Sequence, residues 1–226
     1  MITSRSHDPT SSSARPLRAV FLSAASLAIG LASSTSRGRA LDADAFHELN
    51  GHHSAAADAL FGGVTELGAI VASVAAAGVI AMRGRPRTAL RGLGAAGVTS
   101  LAGQGLKKAF GRPRPWEAHP DSARLVIDGP TSTSWPSSHP AVLLAFLTVV
   151  SRDLGLSCAA RGALWALVGG VGVSRVYLGV HFPSDVVGGV LLGRAVGLAW
   201  PGAPGTPAAP AARSQTDARE ADREGR

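Results

Sequence analysis

A 22-residue apolar run, Phe61–Met82, constrains the fold of this chain more than any other feature. It carries one charge, Glu66, and as an α-helix it is long enough to cross about 30 Å of hydrocarbon. A bilayer core offers backbone groups no hydrogen-bond partner, so a spanning segment is either a helix or a strand of a closed barrel. The sequence has no strand-like alternation of useful length. The run therefore predicts an all-α membrane protein.

Five further apolar segments extend this prediction to a bundle of six transmembrane helices. Short loops rich in arginine stay in the cytoplasm, and such loops follow Met82 and precede Gly162. This places both chain ends in the cytoplasm. The predicted spans are Ala19–Ala32, Phe61–Met82, Thr88–Leu106, Ala141–Val150, Gly162–Val180 and Val186–Trp200.

The predicted membrane domain covers residues 19–200, between disordered tails at 1–18 and 201–226. The first span is either a cleaved signal peptide or a signal anchor, and we favour the anchor because the topology is consistent only if it is kept. Leu41–Leu60 is expected to be an interfacial connector, and Trp116–Trp135 a polar loop where a lid or substrate loop could lie.

Composition excludes several other classes of protein. The single cysteine, Cys158, rules out an intramolecular disulfide and a cysteine-cluster metal site. Aromatic residues make up 5% of the chain, too few to indicate stacked nucleic-acid recognition, so no nucleic-acid partner is expected. His47, His52, His53 and His119 are interpreted as loop residues, because no spaced carboxylates or cysteines complete a metal site.

Three stretches carry residues suited to chemistry on a phosphate group. Lys107 is followed, after six residues, by Arg114-Pro115; Pro136-Ser137-Ser138-His139 comes next, and Ser174–Asp185 reads SRVYLGVHFPSD. His181 and Asp185 are four residues apart and share a face if helical. The carboxylate can then fix the imidazole tautomer and leave the other ring nitrogen as a nucleophile. On this segment alone, the charged groups could equally decorate a helix end.

The order K-x6-RP, PSxH and SR-x5-H-x3-D resembles the three-part signature of the type 2 phosphatidic acid phosphatases. That family includes the lipid phosphate phosphatases and, more distantly, the vanadium haloperoxidases. The resemblance covers Lys107 to Asp185, with one departure: Ser138 stands where the family usually has glycine, which leaves an amide donor but reduces backbone freedom. In the predicted topology the motif residues all fall at the outer ends of the spans, so the active site is expected to face the extracytoplasmic side of the plasma membrane.

The resemblance implies a lipid phosphatase acting on phosphatidate, phosphatidylglycerol phosphate or a polyprenyl (di)phosphate in the bilayer. It implies that His181 attacks phosphorus to form a phosphohistidine, that His139 protonates the leaving oxygen and then activates water, and that Asp185 orients His181. The implied mechanism needs no metal and no organic cofactor, because cations on the protein replace Mg²⁺. Two alternatives stay open, a vanadate-dependent haloperoxidase and a non-catalytic membrane protein that binds or transports phosphate compounds. The implied phosphate cradle consists of Lys107, Arg114, Ser137, Ser138 and Arg175.

Overall fold

The computed structural model describes residues 10–202 of the 226-residue chain, and within that range the fold is all-helical, as predicted. Residues 1–9 and 203–226, which hold most of the two predicted disordered tails, lie outside the described residues. The helix that begins at Thr10 already includes residues 10–18 of the first predicted tail. The helices of the described range are α1 (Thr10–Ser33), α2 (Ser36–Asn50), α3 (Ala55–Glu66), α4 (Ile70–Met82), α5 (Pro86–Phe110), α6 (Pro115–Ala118), α7 (Ser138–Asp153), α8 (Cys158–Tyr177) and α9 (Pro183–Ala199).

The segment predicted as one span, Phe61–Met82, is broken into parts of α3 and α4, whose axes differ by 58°. The break contains Gly68. A Cβ added there would lie 2.6 Å from a methyl carbon of Val171 and 2.9 Å from the Cβ of His139. The missing side chain thus lets the break lie directly against α7 and α8, and a straight helix is the wrong description of this segment.

By length and apolarity, one described helix, α1, can cross a membrane alone, and α3 and α4 meet the same criteria only as a bent pair. The other predicted spans are helical over most of their length. The helices α7 and α9 have 16 and 17 residues and are too short to meet the criteria, whereas α5 and α8 are long enough but not apolar enough. Large apolar side chains are nevertheless exposed along α1, α4 and α5. Examples are Leu17, Phe21, Val71, Met82 and Leu101.

A face of small residues on α9 fixes its position against α7. Gly189, Gly193 and Gly197 follow one another at intervals of four residues, and Cβ atoms added to the first two would lie 2.2 Å and 2.1 Å from the carbonyl oxygens of Ser137 and Ala141. A Cβ on Gly197 would also collide with the side chain of Thr148. The two backbones therefore lie in direct contact, which brings the beginnings of α7 and α9 together.

The first helix belongs to the same bundle, because it packs along α9. The hydroxyl of Ser26 donates to the carbonyl of Gly188 over 2.9 Å, and Gly30 lies against the rings of Phe110 and Trp135.

The predicted interfacial connector, Leu41–Leu60, is instead largely helical. Thr35 caps α2 by accepting the N–H of Gly38 at 3.1 Å, a standard way to satisfy a free donor at a helix start. The buried residues of α2 are Asp42, Phe46 and Asn50, which follow one another at intervals of four residues. Phe46 is fully buried and contacts the ring of Phe182 edge to face. The helix was not expected from the sequence because Phe46 is the only large apolar residue among its buried positions, and the other two are polar; an interfacial position of this segment stays a prediction.

Most of the loop between α6 and α7 has no regular structure, but it is fastened to the bundle. The side chain of Asn50 donates to the carbonyls of Arg124 and Tyr177 at 2.9 Å and 2.8 Å, and it accepts the N–H of Arg124 at 2.8 Å. The loop is thus held against the ends of α2 and α8.

Candidate active site

Four helix ends meet at one end of the bundle, and the predicted site residues lie there. Lys107 is in the last turn of α5, and Arg175 is in the last turn of α8. Ser138 begins α7, and Asp185 is the third residue of α9. The starts of α7 and α9 direct partial positive charge towards this point, which suits an anion.

His181 and Asp185 form the buried pair that their spacing predicts. Their side chains are 2% and 0% exposed, and Nδ1 of His181 lies 3.3 Å from Oδ2 of Asp185. A guanidinium nitrogen of Arg114 lies 3.3 Å from Nε2 of the same imidazole. Because a guanidinium can only donate, Nε2 must be the accepting, unprotonated nitrogen. We therefore assign the ring proton to Nδ1, from the hydrogen-bond network, and a lone pair to Nε2.

Asp185 is held by four donors. Its Oδ1 accepts from Arg112 at 2.7 Å, and its Oδ2 accepts from the hydroxyl of Ser134 at 2.5 Å and from the N–H of Phe182 at 2.9 Å, besides facing His181. Motif reasoning missed Arg112 and Ser134. Arg112 lies among the six unspecified residues between Lys107 and Arg114, and no spacing rule marks Ser134.

The three predicted cations donate hydrogen bonds to uncharged oxygen atoms. Lys107 donates to the carbonyls of Thr133 and Ser134 at 2.7 Å and 3.0 Å. The side chain of Arg114 donates to the carbonyls of Ser132 and Val180 at 2.6 Å and 2.7 Å.

The third cation, Arg175, donates to the hydroxyl of Thr65 at 2.7 Å. All three are 2–3% exposed, and none is paired with a carboxylate among the described residues. The guanidinium charges of Arg114 and Arg175 therefore remain available to an anion, whereas burial lowers the pKa of Lys107 to about 7, so its ammonium is only partly charged at neutral pH. Burial lowers the pKa of Arg114 to about 10, so its guanidinium still carries a charge at neutral pH.

Three buried polar groups beside these cations have no hydrogen-bond partner within residues 10–202. They are Nε of Arg175 and the hydroxyls of Ser137 and Ser138. A buried polar group without a partner costs about 1–3 kcal/mol, so the site favours a ligand with several acceptor oxygens. Ser138 lies in the first turn of α7 without a positive φ, so its backbone does not require the glycine usual in the family.

The remaining predicted residues complete the cluster. His139 is half-buried as the second residue of α7. The backbone N–H of Ser137 donates to the carbonyl of Asp185 at 2.9 Å, and that of His181 to the carbonyl of Arg175 at 3.2 Å. All the predicted site residues therefore lie in one region. His52 and His53 are exposed and outside it, and in the described part of the chain no group of three metal-ligating side chains is present.

The electrostatics of the site favour a neutral His181, which lies between α8 and α9. Burial lowers the pKa of His181 well below its usual value of 6.5, and the charges of Lys107, Arg114 and Arg175 act in the same direction. A neutral imidazole has the free lone pair that a nucleophile needs.

Comparison with known proteins gives relatives of one kind. The decaprenylphosphoryl-5-phosphoribose phosphatase of Mycobacterium tuberculosis is 38% identical over 92 residues, which are 41% of this chain and 48% of that protein. The match thus spans about half of that relative. The undecaprenyl-diphosphatase BcrC of Bacillus subtilis is 29% identical over 160 residues, covering 68% of this chain and 77% of that protein.

A solved structure supports the fold assignment. The transmembrane PAP2 type phosphatidylglycerolphosphate phosphatase from Bacillus subtilis superposes with a TM-score of 0.64 and 27% sequence identity, covering 80% of this chain and 93% of that one. The family model described as the PAP2 superfamily matches residues 88–206, a segment that contains every predicted site residue and more than half of the chain. This chain belongs to the PAP2 superfamily.

Proposed function

We propose that this protein is an integral membrane lipid phosphatase that works through a phosphohistidine on His181. The observation that carries the proposal is the 3.3 Å distance from a guanidinium nitrogen of Arg114 to Nε2 of His181, from which we assign the lone pair to Nε2, in a site whose three buried cations lack carboxylate partners among the described residues. A phosphoryl group needs such fixed positive charge around its oxygens and a nucleophile in line with the leaving oxygen.

The chemistry follows from the arrangement of the side chains. Lys107, Arg114 and Arg175 hold the phosphoryl oxygens, with the hydroxyls of Ser137 and Ser138 as further donors. The Nε2 lone pair forms the N–P bond while the bond from phosphorus to the lipid oxygen breaks. The positive charge that develops on the ring is stabilised through Nδ1–H by Asp185.

His139 completes the cycle by moving protons. It gives its proton to the leaving lipid oxygen and then takes one from the water that attacks the phosphohistidine. This second step breaks the N–P bond, releases inorganic phosphate and restores the lone pair on His181. The protein cations take the place of a metal ion in this scheme, so no cofactor is required.

The substrate class follows from the relatives. The relatives described above are named as phosphatases for decaprenylphosphoryl-5-phosphoribose, undecaprenyl diphosphate and phosphatidylglycerol phosphate. We place the substrate of this chain in the same broad class, a phosphomonoester or diphosphate whose other end is a lipid.

We further place the chain in the plasma membrane as a multi-pass protein whose site faces the extracytoplasmic side. Large apolar side chains exposed along α1, α4 and α5 support contact with lipid. Arg83 and Arg85, in the turn between α4 and α5, and Arg87, in the first turn of α5, lie at one end of α5, and the candidate site lies at the other end. The positive-inside rule places the basic end in the cytoplasm and therefore supports this orientation. The packing of α1 on α9 supports a retained anchor.

The function is tested with purified full-length protein in detergent on three substrates: a polyprenyl diphosphate, phosphatidate and phosphatidylglycerol phosphate. We expect phosphate release from at least one of them, undiminished by EDTA and inhibited by vanadate, with an acid-labile phosphoenzyme that His181→Ala abolishes. Activity lost in EDTA and restored by Mg²⁺ would contradict the metal-independent mechanism. No phosphate release from any substrate would favour the binding-protein alternative, and vanadate-dependent bromide oxidation would favour the haloperoxidase.

A further inference from the structure

Behind the His181–Asp185 pair lies a buried ion-pair chain that reaches α2. Arg112 donates through one terminal nitrogen to Oδ1 of Asp185 at 2.7 Å and through the other to Oδ2 of Asp42 at 2.6 Å. Arg112 and Asp42 are 8% and 6% exposed. The planar guanidinium thus bridges two carboxylates, a geometry that a lysine ammonium cannot reproduce.

Asp42 also fixes the start of α9. Its Oδ1 accepts the backbone N–H of Ser184 at 2.9 Å, and its Oδ2 accepts the hydroxyl of the same serine. Arg112 donates to that hydroxyl as well, at 2.7 Å, and its guanidinium carbon lies 4.4 Å from the centre of the Phe182 ring. The residues on either side of the helix start are therefore locked to Asp42 and Arg112.

The net charge of the three ion-paired side chains behind His181 affects how well a positive charge on its ring is stabilised. Arg112 alone would neutralise Asp185 and weaken its attraction for a positively charged imidazole ring. Asp42 supplies a second negative charge, so the group of Asp42, Arg112 and Asp185 carries a net charge of −1. Buried charges interact strongly because little solvent screens them.

We propose that Asp42 and Arg112 are positioning residues that fix the orientation and the net charge of Asp185, and thereby set the reactivity of Nε2 in His181. The inference rests on the proposed phosphatase function. In the step concerned, the Nε2 lone pair forms the N–P bond, the P–O bond to the lipid breaks, and the leaving oxygen takes its proton from His139. The ring becomes positive as this happens, and the net negative charge behind Asp185 stabilises it.

The test uses Asp42→Asn, which keeps the size of the side chain and one acceptor oxygen but removes the charge. We expect the single-turnover rate of phosphoenzyme formation and kcat to fall about 10- to 100-fold, by analogy with the loss caused when the partner behind a metal-bound histidine is removed. The KM for the lipid should stay within about twofold, because the side chains of the phosphate cradle are unchanged.

A matched control separates this effect from loss of a buried ion pair. Asp153 is 1% exposed and pairs with Arg91 at 2.7 Å near the opposite end of α5, so Asp153→Asn removes a similar pair far from the site. It should lower the unfolding temperature as much as Asp42→Asn does, while phosphoenzyme formation per folded molecule stays unchanged.

A double-mutant cycle then asks whether Asp42 acts through Asp185. Asp42→Asn should slow phosphoenzyme formation in the wild type but have little further effect in an Asp185→Asn background, since residues that act through one another are not additive. The inference would be overturned if the rate losses of Asp42→Asn and Asp185→Asn multiplied in the double variant. It would also be overturned if Asp42→Asn changed only KM, or if the Asp42 and Asp153 variants had equal kinetics. If wild-type protein forms no phosphoenzyme, the proposed function itself fails, and this outcome is distinct from an active wild type that tolerates Asp42→Asn.

Discussion

Gly189→Ala should reduce the proposed phosphatase activity by moving the loop that carries Ser137. The added Cβ would lie 2.2 Å from the carbonyl oxygen of Ser137, whereas real Cβ atoms stay at least 3.0 Å from such an atom, so the backbones of α9 and the loop must separate by about 0.8 Å. Displacements of about 1 Å at a catalytic site can reduce rates about 100-fold. We therefore expect a loss of kcat/KM on the order of 10- to 100-fold in a phosphate-release assay.

The chain supplies two controls for this change. Gly97→Ala meets no atom within 4 Å and should leave kcat/KM unchanged while adding helix propensity to α5. Gly193→Ala meets the carbonyl of Ala141 at 2.1 Å, one turn farther along α9, and should destabilise the protein with a smaller loss of activity than Gly189→Ala. Wild-type activity in Gly189→Ala, or equal losses in the two contact variants, would refute the argument that α9 positions the Ser137 loop.

Three further predictions test the roles, the protonation and the orientation of the site. His139→Ala should reduce the rate about 10²- to 10⁴-fold on lipid phosphates and less on p-nitrophenyl phosphate; an equal loss on both would argue against protonation of the leaving group. Because the pKa of His181 is lowered well below 6.5, stability is complete above pH 6.5 and falls below it, as the unfolded imidazole takes up a proton. The unfolding midpoint should therefore drop less from pH 7 to pH 5 in His181→Gln than in wild type, and an equal drop would show that His181 does not contribute. A membrane-impermeant maleimide should label the exposed Cys158 only after cells are permeabilised, and labelling of intact cells would invert the topology.

The proximity of the candidate site residues could be predicted from the sequence because these residues lie in fixed spacings. The four-residue interval brings His181 and Asp185 together, although His181 lies two residues before the start of α9 and not on its face. The motifs fall at helix ends that the apolar spans delimit. Arg112 was not predicted because it occupies a position that the motif leaves unspecified, although the sequence Arg112-Pro113 repeats the Arg-Pro pair of Arg114-Pro115.

Two parts of the fold were not predictable from apolar patterning. The stripe of Asp42, Phe46 and Asn50 has helical spacing, but two of its three buried members are polar and are stabilised by partners far along the chain. The break at Gly68 lies in a run with several other glycines, such as Gly62, Gly63 and Gly78. Contact with His139 and Val171 distinguishes it, and such a contact exists only in the folded structure.

The pairing of the first and last long helices has a consequence for biosynthesis. Ser26 on α1 and its acceptor at Gly188 on α9 are separated by 162 residues. Asp42 and its hydrogen-bond partner Ser184 are separated by 142 residues. At roughly 5–20 residues per second, the ribosome needs roughly 8–30 s between making these partners. Until α9 has been made and has docked, the nascent chain therefore lacks the contacts that α9 makes with the candidate site, and the proposed phosphatase activity can begin only after that.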